Sequence, residues 1–446
     1  MLFDASGKSS SIATLDTIQA RNMPGGLSKR IKQELENRTF FCNLLIGLVF
    51  AFEPMKNAFV NSVRTIVVLP YSLDTLFCYA LLFYVLLRAL PTLVKSFPWE
   101  ELVPFLLVIA YALMRFLLDS ELMSFNYYQL ILQNFLLSSL PYYALFRLCA
   151  ANNKAYFSIE CFSIIGIISV AILFLLSSAS GAYGNTYYSQ ALAYTTLPFA
   201  LVCATSFSSQ RKVIVRIAFF VFLVVAVIVI ALAGARWPLF IAVAYLPLRL
   251  IVAYKGNVFF RGILILLVLA ISLIIVFNFD DTFQIVANLL ADQGVGLRLI
   301  RKFDNQTLFI DTARSSIIAY SSELIEASPV FGYGLGQERV LIAQKVGDPS
   351  NPIGYYPHNL VLELMLHYGI VVGSVILTLL IYLIIKAFKS AQGNQRDLLA
   401  VLILSGMMPL IVSATYTDWP LFFAMLGFCM AIVSPKALRL SNEPTR

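Results

Sequence analysis

The sequence predicts an all-α integral membrane protein of about twelve transmembrane helices, with one large, partly helical loop on the outer side. Three observations carry this prediction. Of 446 residues, 59% are hydrophobic and only 13% are charged, whereas a soluble domain carries about 25% charged residues. Two or three water-soluble domains of this total length would need far more charge to cover their surfaces. The mean hydropathy of +0.82 is gathered into long apolar runs, and the basic residues are spread unevenly between the two sides that those runs define. A soluble enzyme, a DNA-binding module and a disordered chain are excluded, so the net charge of +8 calls for no nucleic-acid partner.

Residues 1–38 are polar and basic (Lys29, Arg30, Lys32, Arg38), with no apolar core of signal-peptide length. They are expected to form a cytoplasmic tail rather than a cleaved leader. Nine apolar segments then fill residues 39–278, near 39–53, 69–88, 101–118, 127–147, 156–179, 190–208, 213–234, 237–254 and 258–278. Three more fill residues 359–434, near 359–385, 397–415 and 419–434, and residues 435–446 form a second tail. Each run is of roughly spanning length. Solid apolar runs indicate helices, since a membrane β-barrel would alternate. With the N-terminus inside, 22 of the 32 Lys and Arg residues fall in cytoplasmic segments and every inside loop carries at least two. This is the expected bias of positive charge and places both termini in the cytoplasm.

Between the ninth and tenth runs lies an outer region at 279–358. A loop this long in a compact protein is usually functional. It holds an apolar-periodic run at 283–290 and another at 312–327, the second with Asp311 placed to cap it and Pro329 just after its end. The loop is therefore expected to be a folded hood.

Several residues could carry chemistry. Arg236 stands in the turn Ala233-Gly-Ala-Arg-Trp-Pro238 between two apolar runs, where an arginine is costly and has either a partner or a task; an interfacial anchor aided by Trp237 is the plain alternative. Arg314 falls in the first turn of the loop helix, where its charge opposes the helix dipole and favours a nearby anion; pairing with Asp311 on a solvated face is the alternative. His358, at the mouth of the tenth run, offers an imidazole able to take a proton near pH 7, unless it is only a satisfied interfacial residue. His367 is nine residues on, out of phase for an i, i+4 metal pair, and reads as a helix-packing residue. The glycine-rich Phe331-Gly-Tyr-Gly-Leu-Gly336 lacks the Lys-Ser/Thr of a P-loop and follows no strand. Asp280 with Asp281, and Asp119 with Glu121, read as solvated loop charges. Six cysteines form no CxxC pair, and two histidines without HExxH leave protein-bound zinc unsupported.

Three of these places together resemble the O-antigen ligase and O-antigen polymerase (Wzy) superfamily of bacterial envelope proteins. They are the small-residue–Arg turn Gly234-Ala-Arg236, then Arg314 opening a loop helix followed by Ser328-Pro-Val-Phe-Gly-Tyr-Gly-Leu-Gly336, and then His358-Asn359 opening a span that runs on to Gly369 and Gly373. The match covers residues 233–373; the remainder agrees in span count and topology. His367 departs from the pattern, as many relatives carry an acidic or apolar residue there.

The resemblance implies a GT-C-like fold and an inverting glycosyltransferase that needs neither metal nor cofactor, in the inner membrane with its active site facing the periplasm. The donor would be a glycan on undecaprenyl diphosphate, and the acceptor a growing glycan (a polymerase) or lipid A–core (a ligase), in lipopolysaccharide or exopolysaccharide synthesis. We lean to polymerase, the more diverse subgroup. Arg236 and Arg314 would bind the diphosphate, His358 would be the general base, and Asn359 could position it. The chemistry suits the residue types, since arginine offers always-charged, bidentate donors to a leaving diphosphate. A flippase of the lipid-linked unit would instead favour internal repeats and charges lining the midplane, whereas the sequence shows no repeat and its informative charges cluster at one outer face; a scaffold would not need arginines and a histidine converging on the outer side.

Overall fold

The computed structural model describes residues 25–66, 73–118, 125–150, 153–179, 190–210, 212–233, 235–253, 257–277, 312–350 and 352–434. Every regular element in them is helical: α1 (Gly25–Ile66), α2 (Leu73–Ser96), α3 (Val103–Leu118), α4 (Phe125–Cys149), α5 (Asn153–Ala179), α6 (Gln190–Ser209), α7 (Val213–Leu232), α8 (Arg236–Ala253) and α9 (Val258–Phe277). Next come α10 (Thr312–Ala327), α11 (Gln337–Val346), α12 (Leu360–Ser390), α13 (Asn394–Gly406), α14 (Met408–Val412) and α15 (Pro420–Val433). Among the described residues, helix is found in each of the twelve apolar runs, although the run at 397–415 holds two helices and leaves 413–415 irregular, and eight helices are long and apolar enough to cross a membrane. The chain is a multi-pass helical membrane protein.

The interior is built where α1 packs on α5, α4 on α15, and α6 on α7 and α8, with α13 against α15. The α6 span is 72% buried while the α2 and α3 spans are each 11% buried, so α6 is central and α2 and α3 face outward. Lipid tails are as apolar as leucine, so helices here gain little from the hydrophobic effect and rely on close packing and polar ties. Both occur. A Cβ on Gly427 would lie 2.1 Å from the Tyr143 carbonyl oxygen, so only glycine lets α15 meet α4 this closely. Arg249 makes a two-pronged ion pair with Asp397, both contacts 2.7 Å, joining α8 to α13. Arg147 pairs with Glu101 at 2.7 Å, and the Tyr143 hydroxyl donates to the same carboxylate at 2.6 Å.

Two elements differ from the sequence expectation. The tenth run is not one straight helix, because Gly369 interrupts α12 with φ 77° and ψ 169°. In the loop, α10 forms where expected, with Pro329 beyond its end, but α11 follows it and was not anticipated; its charged sequence Gln337-Glu-Arg339 hides buried positions. The expected helix at 283–290, the Asp311 cap, the carboxylates at 280, 281, 119 and 121, Gly234, residues 1–24 of the first tail and the whole second tail lie outside the described residues, while residues 25–38, expected as tail, are the start of α1.

Candidate functional site

His358 sits between Pro357 and the first turn of α12. The Asn359 side-chain oxygen accepts from the backbone N–H of Val361 at 2.9 Å and of Leu362 at 3.3 Å, which satisfies two donors that a helix start leaves open. Asn359 is thus a helix cap beside the histidine. His358 itself has φ +54°, and among the described residues no other non-glycine residue has a positive φ. Such a backbone costs on the order of 1–3 kcal/mol and persists only where its surroundings impose it.

Those surroundings are specific. His358 Nδ1 lies 2.9 Å from the carbonyl oxygen of Ser413. A carbonyl can only accept, so Nδ1 donates and the basic lone pair resides on Nε2. The Tyr356 hydroxyl donates to the same carbonyl at 3.2 Å, and its ring lies 4.1 Å from the imidazole, centroid to centroid. The partly buried imidazole is therefore held by the strand of chain that precedes it and by the 413–418 segment linking α14 to α15.

Behind this clamp lies a buried polar network. Arg339, 1% exposed, directs Nη2 to Thr417 Oγ1 at 2.7 Å, Asp418 Oδ2 at 3.0 Å and Thr415 Oγ1 at 3.4 Å, and Nη1 to the Ile353 carbonyl at 3.2 Å. Its guanidinium carbon stands 5.4 Å from the Tyr356 ring centroid. Beside it, His367 Nε2 meets Glu338 Oε1 at 3.0 Å with both side chains fully buried, and His367 Nδ1 meets the Tyr416 hydroxyl at 2.7 Å. The Tyr416 hydroxyl continues to Tyr368 at 3.1 Å, while Glu363 receives the Thr415 hydroxyl and the Tyr416 backbone N–H. Burial alone would push the Glu338 carboxyl up, but the His367 beside it, with help from Arg339, holds it below the usual carboxylate range. Burial pushes the Tyr356 phenol up, against the lowering influence of Arg339 and Arg314.

His367 is thus more than the packing residue that the sequence suggested: its two ring nitrogens face Glu338 and Tyr416 inside the network. One signal could have found it. Glu363 and His367 stand at i, i+4 on one helix face, and ionisable residues in an apolar run ordinarily have partners. Arg339 carried no comparable signal, since its place in a charged loop helix reads as solvated.

The glycine-rich segment 331–336 has a structural task. Where Gly369 breaks α12, the Leu366 and His367 carbonyls lose helical partners; they accept instead from the N–H groups of Tyr333 at 2.6 Å and Gly334 at 3.0 Å, while Ile370 N–H donates to Pro329 at 2.7 Å. A Cβ on Gly369 would lie 2.1 Å from the Val330 oxygen, and one on Gly332 2.5 Å from the Leu366 oxygen. The loop backbone lies directly on the broken helix, which pins the hood to α12.

An apolar groove of about 1070 Å³ runs between α3, α12 and α15. Leu107, Val372, Leu379 and Phe423 line its length, and Tyr368 and Tyr416 close one end against the polar network. The 413–418 segment thus touches His358 through Ser413 and the groove through Tyr416.

Arg314, partly buried in the first turn of α10, acts electrostatically on Tyr356, so it shares that tyrosine with His358. Arg236 is the first residue of α8, partly buried, with Trp237 half-exposed and edge-on to Phe240 at 6.0 Å. Among the described residues no three His, Cys, Asp or Glu side chains are grouped to hold a metal ion.

Fold and site together define a multi-pass helical membrane protein whose clamped histidine and apolar groove share the 413–418 segment. Residues 220–377, from α7 into α12, match the family model described as O-antigen ligase (Wzy_C). This segment, roughly a third of the chain, contains Arg236, Arg314 and His358, and over it the chain is similar to the O-antigen ligase and polymerase superfamily, which supports an activity of that general type. No curated protein matches the chain.

Proposed function

We propose that the protein transfers a glycan from undecaprenyl diphosphate to a sugar hydroxyl of an acceptor, at the periplasmic face of the bacterial inner membrane. His358 Nε2 takes the proton of the acceptor hydroxyl. The acceptor oxygen attacks the anomeric carbon, the bond from that carbon to the diphosphate oxygen breaks on the opposite face, and the configuration inverts. The diphosphate leaves with the added negative charge, which Arg236 and Arg314 receive as paired, planar donors. Asn359 fixes the start of α12 and with it the place of His358. The lipid chain of the donor occupies the groove, whose lining is mostly apolar, with Glu100, Glu101 and four tyrosines among it. The step draws on no metal or cofactor, and the architecture is read as GT-C-like.

The observation that carries this reading is the clamp on His358: a strained backbone and two independent chain segments hold one imidazole in one tautomer, an expense that simple packing does not call for. Between the two acceptors we favour a growing glycan, hence a polymerase, over lipid A–core. The test is to incubate purified protein with a defined lipid-linked oligosaccharide and each acceptor in turn. Lengthened glycan identifies a polymerase, glycan on lipid A–core identifies a ligase, and the absence of product with every acceptor refutes the transfer reading. Arg236→Lys and Arg314→Lys should each slow turnover in the active combination, because an ammonium cannot replace a bidentate fork; full activity in either would remove that arginine from the diphosphate site.

A further inference from the structure

A guanidinium taken out of water must be repaid by every partner it can find, and besides the neighbouring Glu338, 3.6 Å from its Nε, Arg339 collects its partners from two places. The Ile353 carbonyl and the Tyr356 ring belong to the chain that leads into His358. Thr415, Thr417 and Asp418 belong to the segment whose Ser413 carbonyl receives His358 Nδ1. These two segments are the two sides of the histidine clamp. If Arg339 served only to brace the hood, contacts to either segment would suffice, yet the single side chain spans both. Lysine has one ammonium and no planar face, so it could not reach a carbonyl, a carboxylate and a ring together.

We propose that Arg339 is a positioning residue for the transfer reaction: by anchoring Tyr356 and the 413–418 segment at once, it sets the ring orientation and tautomer of His358. The proposal rests on the reading of His358 as the base, and its test separates the two. The chain has only two histidines, so nitrogen NMR of the full-length protein with labelled imidazoles, in nanodiscs, reports two rings; the signals lost in His358→Asn belong to His358. In the wild type His358 is expected as the Nδ1–H tautomer. In Arg339→Gln it should become a mixture of tautomers, with kcat per folded protein down about 10- to 100-fold, the effect of misplacing a reacting group by about 1 Å, and with donor KM within about threefold. Arg339→Lys should restore part of both readouts.

Because Arg339→Gln leaves Asp418 without its partner and can unfold the hood, Tyr356→Leu is the second variant. It keeps the Arg339–Asp418 pair and removes the ring between Arg339 and His358, and it should shift the tautomer and kcat in the same direction. If the folded variants keep the wild-type His358 signals and kcat within about twofold, the proposal is overturned. Product formation with no change in tautomer leaves the transfer reading standing and removes Arg339 from it. A tautomer shift in a protein that makes no product with any acceptor refutes the transfer reading and leaves the control of His358 by Arg339 in place.

Discussion

At His358 the backbone and the side chain can be tested apart. Asparagine tolerates the left-handed region far better than alanine does, since its short polar side chain bonds locally, but neither can act as a base. His358→Asn and His358→Ala should therefore lose turnover equally, by about two to four orders of magnitude. The alanine variant should be the less stable by about 1 kcal/mol, read as a lower thermal midpoint. Near-normal turnover in either would place the base elsewhere. His358 could be singled out beforehand because it stands at the mouth of the tenth run and begins, with Asn359, the pattern that resembles the O-antigen ligase and polymerase superfamily. Its tautomer could not, because Ser413 lies 55 residues away in the chain. Arg339 was hidden for the same reason: Thr415, Thr417 and Asp418 are far away in the chain and meet it only when α11 folds under the 413–418 segment.

At the level of the elements, the decisive feature is the break in α12. A helix freed of two hydrogen bonds at a buried position needs other donors, since each unpaired group there costs about 1–3 kcal/mol, and the hood backbone supplies them. Gly369→Ala would meet both a positive φ and the Val330 oxygen, and should cost more than about 4 kcal/mol, at the upper end for a single substitution. Gly354→Ala, which meets nothing within 4 Å, should stay within about 0.5 kcal/mol. Comparable thermal midpoints for the two would show that the loop does not rest on the break.

The buried Glu338–His367 pair ties α11 to α12 and makes that tie sensitive to acid. The folded Glu338 carboxyl is held below its ordinary value, so its contribution is complete above about pH 4.3 and is lost as the pH falls through the lowered folded value. Glu338→Gln should be less stable at neutral pH by about 3–5 kcal/mol, the cost of stranding one partner of a buried pair, and its midpoint should fall less steeply in acid. Parallel curves for variant and wild type would rule the pair out as the acid-sensitive tie.

For the whole molecule, the distribution of basic residues argues for both termini inside. A membrane-impermeant thiol reagent applied to intact cells, in a background without the six native cysteines, should reach cysteine placed at Gly184 or Asp348 but not at Gln392; labelling at Gln392 would overturn this topology. That the apolar runs are helical was already determined by composition, because lipid admits almost nothing else, and the described part of each run contains helix, the eleventh as two helices that end at Val412. The long stretch between the ninth and tenth runs pointed to a loop with helices of its own, and α10 lies there. Three things only the tertiary structure decided: that α12 is broken at Gly369 and mended by the hood, that Glu338, Arg339, Glu363 and His367 share one buried network, and that His358 faces the Ser413 carbonyl. All three depend on side chains and backbone groups far apart in sequence meeting in a medium without water. There a polar group must find a partner wherever the packing brings one, and local pattern carries no record of that partner.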